Sequence, residues 1–180
     1  NLVQLVEQAG ARVTVLRNDR FALPDLATYD KLLLSPGPGI PCEAGLLMQV
    51  IETYATTKPI LGICLGEQAI GEAFGAHLYN LPDVFHGVQT EISLSSPDNP
   101  ELADDYLFES LPRRIAVVRY HSWVVSRQNL PHTLKVTALS DEGLIMGLRH
   151  CTLDVHGIQF HPESVLTPLG ERIIRNWINH

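Results

Sequence analysis

The sequence predicts an α/β fold of three layers: a mostly parallel central sheet flanked by helices, with additional antiparallel strands in the C-terminal half. Three observations carry this expectation. Lys31-Leu32-Leu33-Leu34 and Pro59-Ile60-Leu61-Gly62-Ile63 are short, continuously apolar runs suited to strands buried on both faces, and helically spaced stretches follow them. Gly62-Ile63-Cys64-Leu65-Gly66 has the pattern of a sharp strand-to-helix turn. From Val88 onwards the chain reads instead as strands joined by turns.

Each element has its own signal. Leu2, Val3, Leu5 and Val6 put apolar residues on one face of a helix that stops near Ala9-Gly10. Arg12 to Leu16 reads as a strand, followed by the strand at Lys31–Leu34. Glu43 to Tyr54 is helical, with Leu46, Leu47, Val50 and Ile51 on one face. Pro59 to Ile63 is the next strand and Gly66 to Phe74 the helix after it. Strands are then expected at 88–94, 115–118, 134–139, 144–148 and 153–158. Asp141-Glu142-Gly143 forms a hairpin connection, and an amphipathic helix spans 169–178. A doubly wound fold normally opens with a strand, whereas this chain opens with a helix. The first strand is therefore expected upstream of Asn1, since a missing central strand would leave backbone groups unpaired in the core. No repeat or linker interrupts the sequence, so residues 1–180 are expected to form one domain, incomplete at its N-terminus.

Composition narrows the function. Hydrophobic residues make up 45% of the 180 and charged residues 18%, a globular balance. The net charge is −7, and no Lys/Arg cluster offsets it, which argues against phosphate-driven nucleic-acid binding. No apolar run reaches the roughly 20 residues of a membrane span. Cys42, Cys64 and Cys151 are odd in number and scattered, matching neither a metal-ligand spacing nor a disulfide framework. A reducing cytoplasm and no metal or other cofactor are the expectation.

Cys64 carries the chemistry. Its two flanking glycines let strand and helix backbones approach where a Cβ would clash. A cysteine in such a turn faces a helix N-terminus, which favours a thiolate. Far along the chain, Phe160-His161-Pro162-Glu163 offers a base, His161, and a carboxylate, Glu163, to orient it. Ser35-Pro36-Gly37-Pro38-Gly39 follows a predicted strand and so lies on the sheet edge where ligands bind in open α/β folds. It is either a rigid turn or, beside a nucleophile, the second arm of an oxyanion hole whose first arm is the N–H of Leu65. No G-K-[ST] follows it, so it is not a phosphate loop.

Pro36-Gly37-Pro38-Gly39, Gly62 to Gln68 and Gly157 to Ser164 together resemble the three signatures of the class I (triad-type) glutamine amidotransferases, over essentially the whole chain. Arg119-Tyr120-His121-Ser122, the run His161 to Thr167, Ala69-Ile70-Gly71 with Phe74-Gly75, and His86-Gly87 are most similar to the glutaminase subunits of anthranilate and aminodeoxychorismate synthases. The resemblance implies that Cys64 attacks the glutamine side-chain amide, that His161 relays protons and that Glu163 orients His161. It implies an oxyanion hole of Leu65 and the Gly37–Gly39 segment. Glutamine would be held by Gly37, Pro38, Gly39, Gln68 and the backbone of Ser122 and Trp123. Ammonia would pass to a separate chorismate-using synthase subunit. The family's opening strand and the turn after it are what this sequence lacks.

The pattern departs at Glu67, where the family usually has histidine; an ionised carboxylate there would disfavour the Cys64 thiolate. Trp123 replaces a common leucine and Val88 a common lysine. Cys42 reads as a small packing residue, Cys151 as a turn residue without a base, and His121 as either a cleft residue or a hydrogen-bonded structural one. Two other readings stand beside the glutaminase: a stand-alone γ-glutamyl hydrolase, and a catalytically weakened subunit that regulates a synthase.

Overall fold

A computed structural model describes residues 1–180. Seven strands form one mixed sheet: β1 (Leu32–Leu34), β2 (Ile60–Ile63), β3 (Leu78–Leu94), β4 (Arg114–Val125), β5 (Leu134–Ser140), β6 (Ile145–His150) and β7 (Val155–Ile158). Their order across the sheet is β1-β2-β7-β6-β5-β3-β4. The pairs β1–β2 and β2–β7 are parallel, and every pair beyond β7 is antiparallel. Every residue of β2 and β7 is buried, as their lack of polar alternation required.

Helices cover both faces. Helix α2 (Leu47–Tyr54) buries Leu47, Val50, Ile51 and Tyr54, a stripe at helical spacing. With α3 (Leu65–Ala73) it packs onto the face carrying Ile60, Leu148 and Val155. The opposite face carries Leu61, Ile63, Met146 and Ile158, and is closed by α1 (Leu2–Gln8) and α4 (Gly170–Asn179), the latter through Ile173, Ile174 and Trp177. Glu171 and Arg175, one turn apart on the outer side of α4, form an ion pair at 2.7 Å.

Several expected elements differ. Arg12–Leu16 forms no strand: no neighbour pairs with its backbone, and Val15 is 69% exposed. A β-prone sequence without a ladder partner has nothing to hold it in a sheet. Helix α2 starts at Leu47 rather than Glu43, because Pro41–Glu43 forms a separate 3₁₀ turn and Gly45 takes φ +58° between them. The longest strand, β3, begins ten residues before the expected start. Pro82 and Gly87 interrupt its pattern, and both fall at shifts in the β3–β4 register, between Asn80 and Phe85 and between His86 and Val88. The Asp141–Gly143 hairpin joins β5 to β6 as expected.

A buried histidine ties the N-terminal end of β7 to a loop. His156 Nδ1 lies 3.0 Å from Asp105 and Nε2 lies 2.7 Å from Asp154. Burial opposes charging of His156, but hydrogen bonds to the two carboxylates outweigh it and push its pKa up to about 9. The hydrogen bond from His156, opposed by partial burial, brings Asp154 down to about 2. The histidine's contribution is whole below its ordinary 6.5 and is lost as pH rises through about 9. The aspartate's is whole above its ordinary 3.8 and is lost as pH falls through about 2. Melting temperatures of wild type and His156→Leu should therefore differ most between about pH 4 and 6.5, and the gap should narrow above about pH 9.

Candidate active site

The three parallel strands end at one edge of the sheet, which brings distant motifs together. The Ser35–Gly39 loop leaves β1, Cys64 leaves β2 and Gln159-Phe160-His161 leave β7. Cys64 sits between β2 and α3 with φ +55° and ψ −104°, a sparsely populated conformation for a non-glycine residue. Both flanking glycines are required sterically. A Cβ on Gly62 would lie 2.4 Å from the backbone carbon of Gly66, and one on Gly66 would lie 2.3 Å from the carbonyl oxygen of Leu34.

His161 and Glu163, expected to act with Cys64, come to the same sheet edge as its sulfur. His161 Nδ1 hydrogen-bonds Glu163 Oε1 at 2.7 Å. The opposite ring nitrogen, Nε2, is buried without a partner of full hydrogen-bond geometry. Burial disfavours charge on His161, but interactions with Cys64 and Glu163 push its pKa up to about 9. His161 therefore carries a proton at neutral pH, beside the sulfur. Such pairs often tighten only around a substrate.

The backbone that presents His161 is pinned from two sides. Thr167 Oγ1 donates to the His161 carbonyl at 2.7 Å and accepts from the Val118 N–H at 3.0 Å. Gly170 lies so close beneath that an added Cβ would be 1.8 Å from the Pro162 carbonyl oxygen. The His161–Thr167 run had been noted only for its resemblance; Thr167 and Gly170 give it a mechanical reason.

A cleft of about 330 Å³ opens over the sulfur, lined by Gly37, Gly39, Cys64, Leu65 and Gln68 on one side and by residues of β3 and β4 on the other. Ser122 and Trp123 belong to that second wall, together with Tyr120 and His121. Pro38, expected among the substrate contacts, is exposed and does not line the cleft, whereas the glycines on either side of it do. Gly37 packs against the helix start, since a Cβ there would lie 3.1 Å from Leu65 Cδ2. The two arms assigned to an oxyanion hole thus adjoin. Val84, Phe85 and His86 also line the cleft and were not expected, because they belong to the part of β3 that the sequence pattern concealed.

Other expectations resolve differently. Glu67, whose charge if ionised would disfavour the thiolate, is fully buried, and neither carboxyl oxygen has a partner. Its side chain packs over Gly157, where a Cβ would come within 2.6 Å of Glu67 Cγ. Burial raises its pKa well above the ordinary 4.5, which favours the neutral acid. Cys42 is exposed rather than packed, as is Cys151. His121 satisfies both of its readings: it lines the cleft and is held by Arg119 and the Trp123 carbonyl. Gln159, to which the sequence pattern assigns no role, donates from Nε2 to Cys64 Sγ at 3.4 Å.

Comparison with known proteins agrees with this geometry. The family model for glutamine amidotransferase class-I matches residues 1–180. Anthranilate synthase component 2 of Pseudomonas aeruginosa is 42% identical, over 99% of this chain and 88% of the relative. Aminodeoxychorismate synthase component 2 of Escherichia coli is 40% identical, over 99% of this chain and 92% of its own length. A crystal structure of a glutamine amidotransferase from Thermotoga maritima superposes with a TM-score of 0.65, at 18% identity over 86% of this chain and 78% of the other, a likeness of fold alone.

The buried carboxyl has a measurable signature. Because Glu67 holds its proton more tightly when folded, its effect on stability worsens as pH rises above about 4.5. Glu67→Gln should therefore gain on wild type in urea midpoint between about pH 5 and pH 8. The alkylation profile of Cys64 should stay unchanged, since a neutral amide replaces a neutral acid.

Proposed function

Since the chain belongs to the glutamine amidotransferase class-I family, we propose that it is the glutamine-hydrolysing component of a chorismate-aminating synthase. The observation that carries the chemistry is the junction of Cys64, the His161–Glu163 pair and the cleft at one sheet edge. The likeness to component 2 proteins of both anthranilate and aminodeoxychorismate synthases, at about 40% identity over nearly the full chain, supports the substrate and the partner. That likeness favours neither synthase, so the proposal stays with a chorismate-using synthase in general.

The steps follow from the geometry. The Cys64 thiolate attacks the side-chain carbonyl carbon of glutamine, and the oxygen becomes an oxyanion that accepts hydrogen bonds from the N–H groups of Leu65 and the Gly37–Gly39 loop. The Leu65 N–H belongs to backbone fixed by the elbow, so it needs little rearrangement as charge develops. His161 gives its proton to the departing nitrogen, because an amide anion is too basic to leave unassisted. Ammonia leaves, and a γ-glutamyl thioester remains on Cys64. His161, now neutral, takes a proton from water as it attacks the thioester; glutamate departs and the starting protonation returns. Glu163 holds the imidazole in orientation through both halves. Gln68, Ser122 and Trp123 hold the substrate. Ammonia passes to a chorismate-using synthase subunit bound beside the cleft, in a reducing cytoplasm where free thiols persist.

Glutaminase assays with and without that partner test the proposal. Cys64→Ser should abolish glutamine hydrolysis yet leave ammonia-dependent synthesis by the complex intact. His161→Ala should cost about 10²–10⁴-fold in turnover, and Glu163→Ala less. Because His161 must be protonated to release ammonia, kcat/KM should fall as pH rises through about 9. Full activity in Cys64→Ser would reject the nucleophile. Turnover of other γ-glutamyl compounds without any partner would favour a stand-alone hydrolase.

A further inference from the structure

We infer that Gln159 is a positioning residue for Cys64: its side-chain amide donates to the sulfur, and buried hydrogen bonds anchored on Arg119 fix the direction of that donation. The inference rests on the reading of Cys64 as a glutaminase nucleophile.

Amides are ambiguous in orientation until a neighbour of fixed character settles them. Here the settling starts from a backbone carbonyl. Gln68 Nε2 lies 2.9 Å from the Trp123 carbonyl oxygen, an atom that can only accept. Gln68 must therefore present its NH₂ there, and its second hydrogen is directed at Gln159 Oε1, 3.1 Å away. With its oxygen committed to Gln68, Gln159 has only its NH₂ to turn towards Cys64 Sγ. A sulfur that accepts an N–H is favoured as the thiolate, because hydrogen bonds to the charged form stabilise it.

The same carbonyl is held from its other side by a group of equally fixed character. Arg119 is fully buried, and its guanidinium can only donate; Nε donates to His121 Nε2 at 3.1 Å. His121 must then carry its proton on Nδ1, which points to the Trp123 carbonyl at 3.2 Å. Arg119 itself is clamped between the ring of Phe85, 3.6 Å from its centroid, and the carboxylate of Glu142 in the β5–β6 turn. Burial and the neighbouring Arg119 charge lower His121 to about 4, so it stays neutral and keeps this tautomer. Gln159, Gln68 and His121 are all buried, and a low local dielectric strengthens such bonds.

Gln159→Met keeps the volume and removes the donor. In a folded variant, the alkylation midpoint of Cys64 with iodoacetamide should rise by about one pH unit, the scale of one hydrogen bond to a charged group. Labelling is read at the Cys64 peptide by mass spectrometry, because exposed Cys42 and Cys151 also react. At pH values below the alkylation midpoint, kcat should drop about tenfold while KM changes little. A second measurement needs no folded Gln159 variant. In wild type, the Gln159 side-chain amide resonances should shift with the same midpoint as alkylation, and that shift should vanish in Cys64→Ala. An unmoved alkylation profile in folded Gln159→Met, or amide resonances indifferent to Cys64, overturns the inference while leaving the glutaminase reading intact. Absence of glutamine turnover in the wild-type complex removes that reading, and the alkylation and resonance measurements then still decide the contact.

Discussion

Everything at the cleft depends on how closely the start of α3 sits against the sheet. Strand β2 delivers Cys64 at the edge, and the helix must begin at once if its N–H groups are to face the same space as the sulfur. That packing leaves no room for a Cβ at Gly62 or Gly66, whose positions abut the Gly66–Glu67 backbone and Leu34. The cost is concentrated on one residue, Cys64, whose positive φ the surrounding backbone enforces. Strain of this kind persists only where its neighbours over-determine it. Here the buried β2–β7 ladder does so, through the Cys64 N–H bond to the Ile158 carbonyl at 2.8 Å.

The second half of the site is held by a different device. His161 lies outside any strand, where a loop would ordinarily leave it free to wander. The Thr167 hydroxyl, bonded both to the His161 carbonyl and to β4, closes the segment into a small latch, and Gly170 lets α4 pack beneath it. The nucleophile is thus positioned by backbone sterics and its histidine by side-chain hydrogen bonds.

What could be read from the sequence follows the same division. The elbow was legible because its glycines are dictated by local sterics, and the convergence of the three loops followed from parallel strands ending at one edge. The strand expected at Arg12–Leu16 failed because strand propensity describes fitness for a ladder, and no ladder reaches it. The first ten residues of β3 were hidden because a proline and a glycine at register shifts read as breaks, although bulges accommodate both. The state of Glu67 was left open for a related reason, since whether the first turn of α3 faces water or core is a property of tertiary packing. Pro38 shows the limit within a correct motif, since neighbours in one loop can face opposite ways.

The β3–β4 ribbon has one more consequence. No residue of β3 before Ile92 is buried, and β5 pairs with it only at Ile92–Leu94, so its first part is held chiefly by β4. Two-stranded ribbons have little stability of their own. The β3 part of that cleft wall is therefore only loosely coupled to the core, whereas the β4 part is largely buried in it. A substitution in the first part of β3 can loosen the wall with little effect on the protein's melting point. Along a lineage, the rim of the cleft is free to vary under selection for what it touches, while the elbow remains under selection for folding.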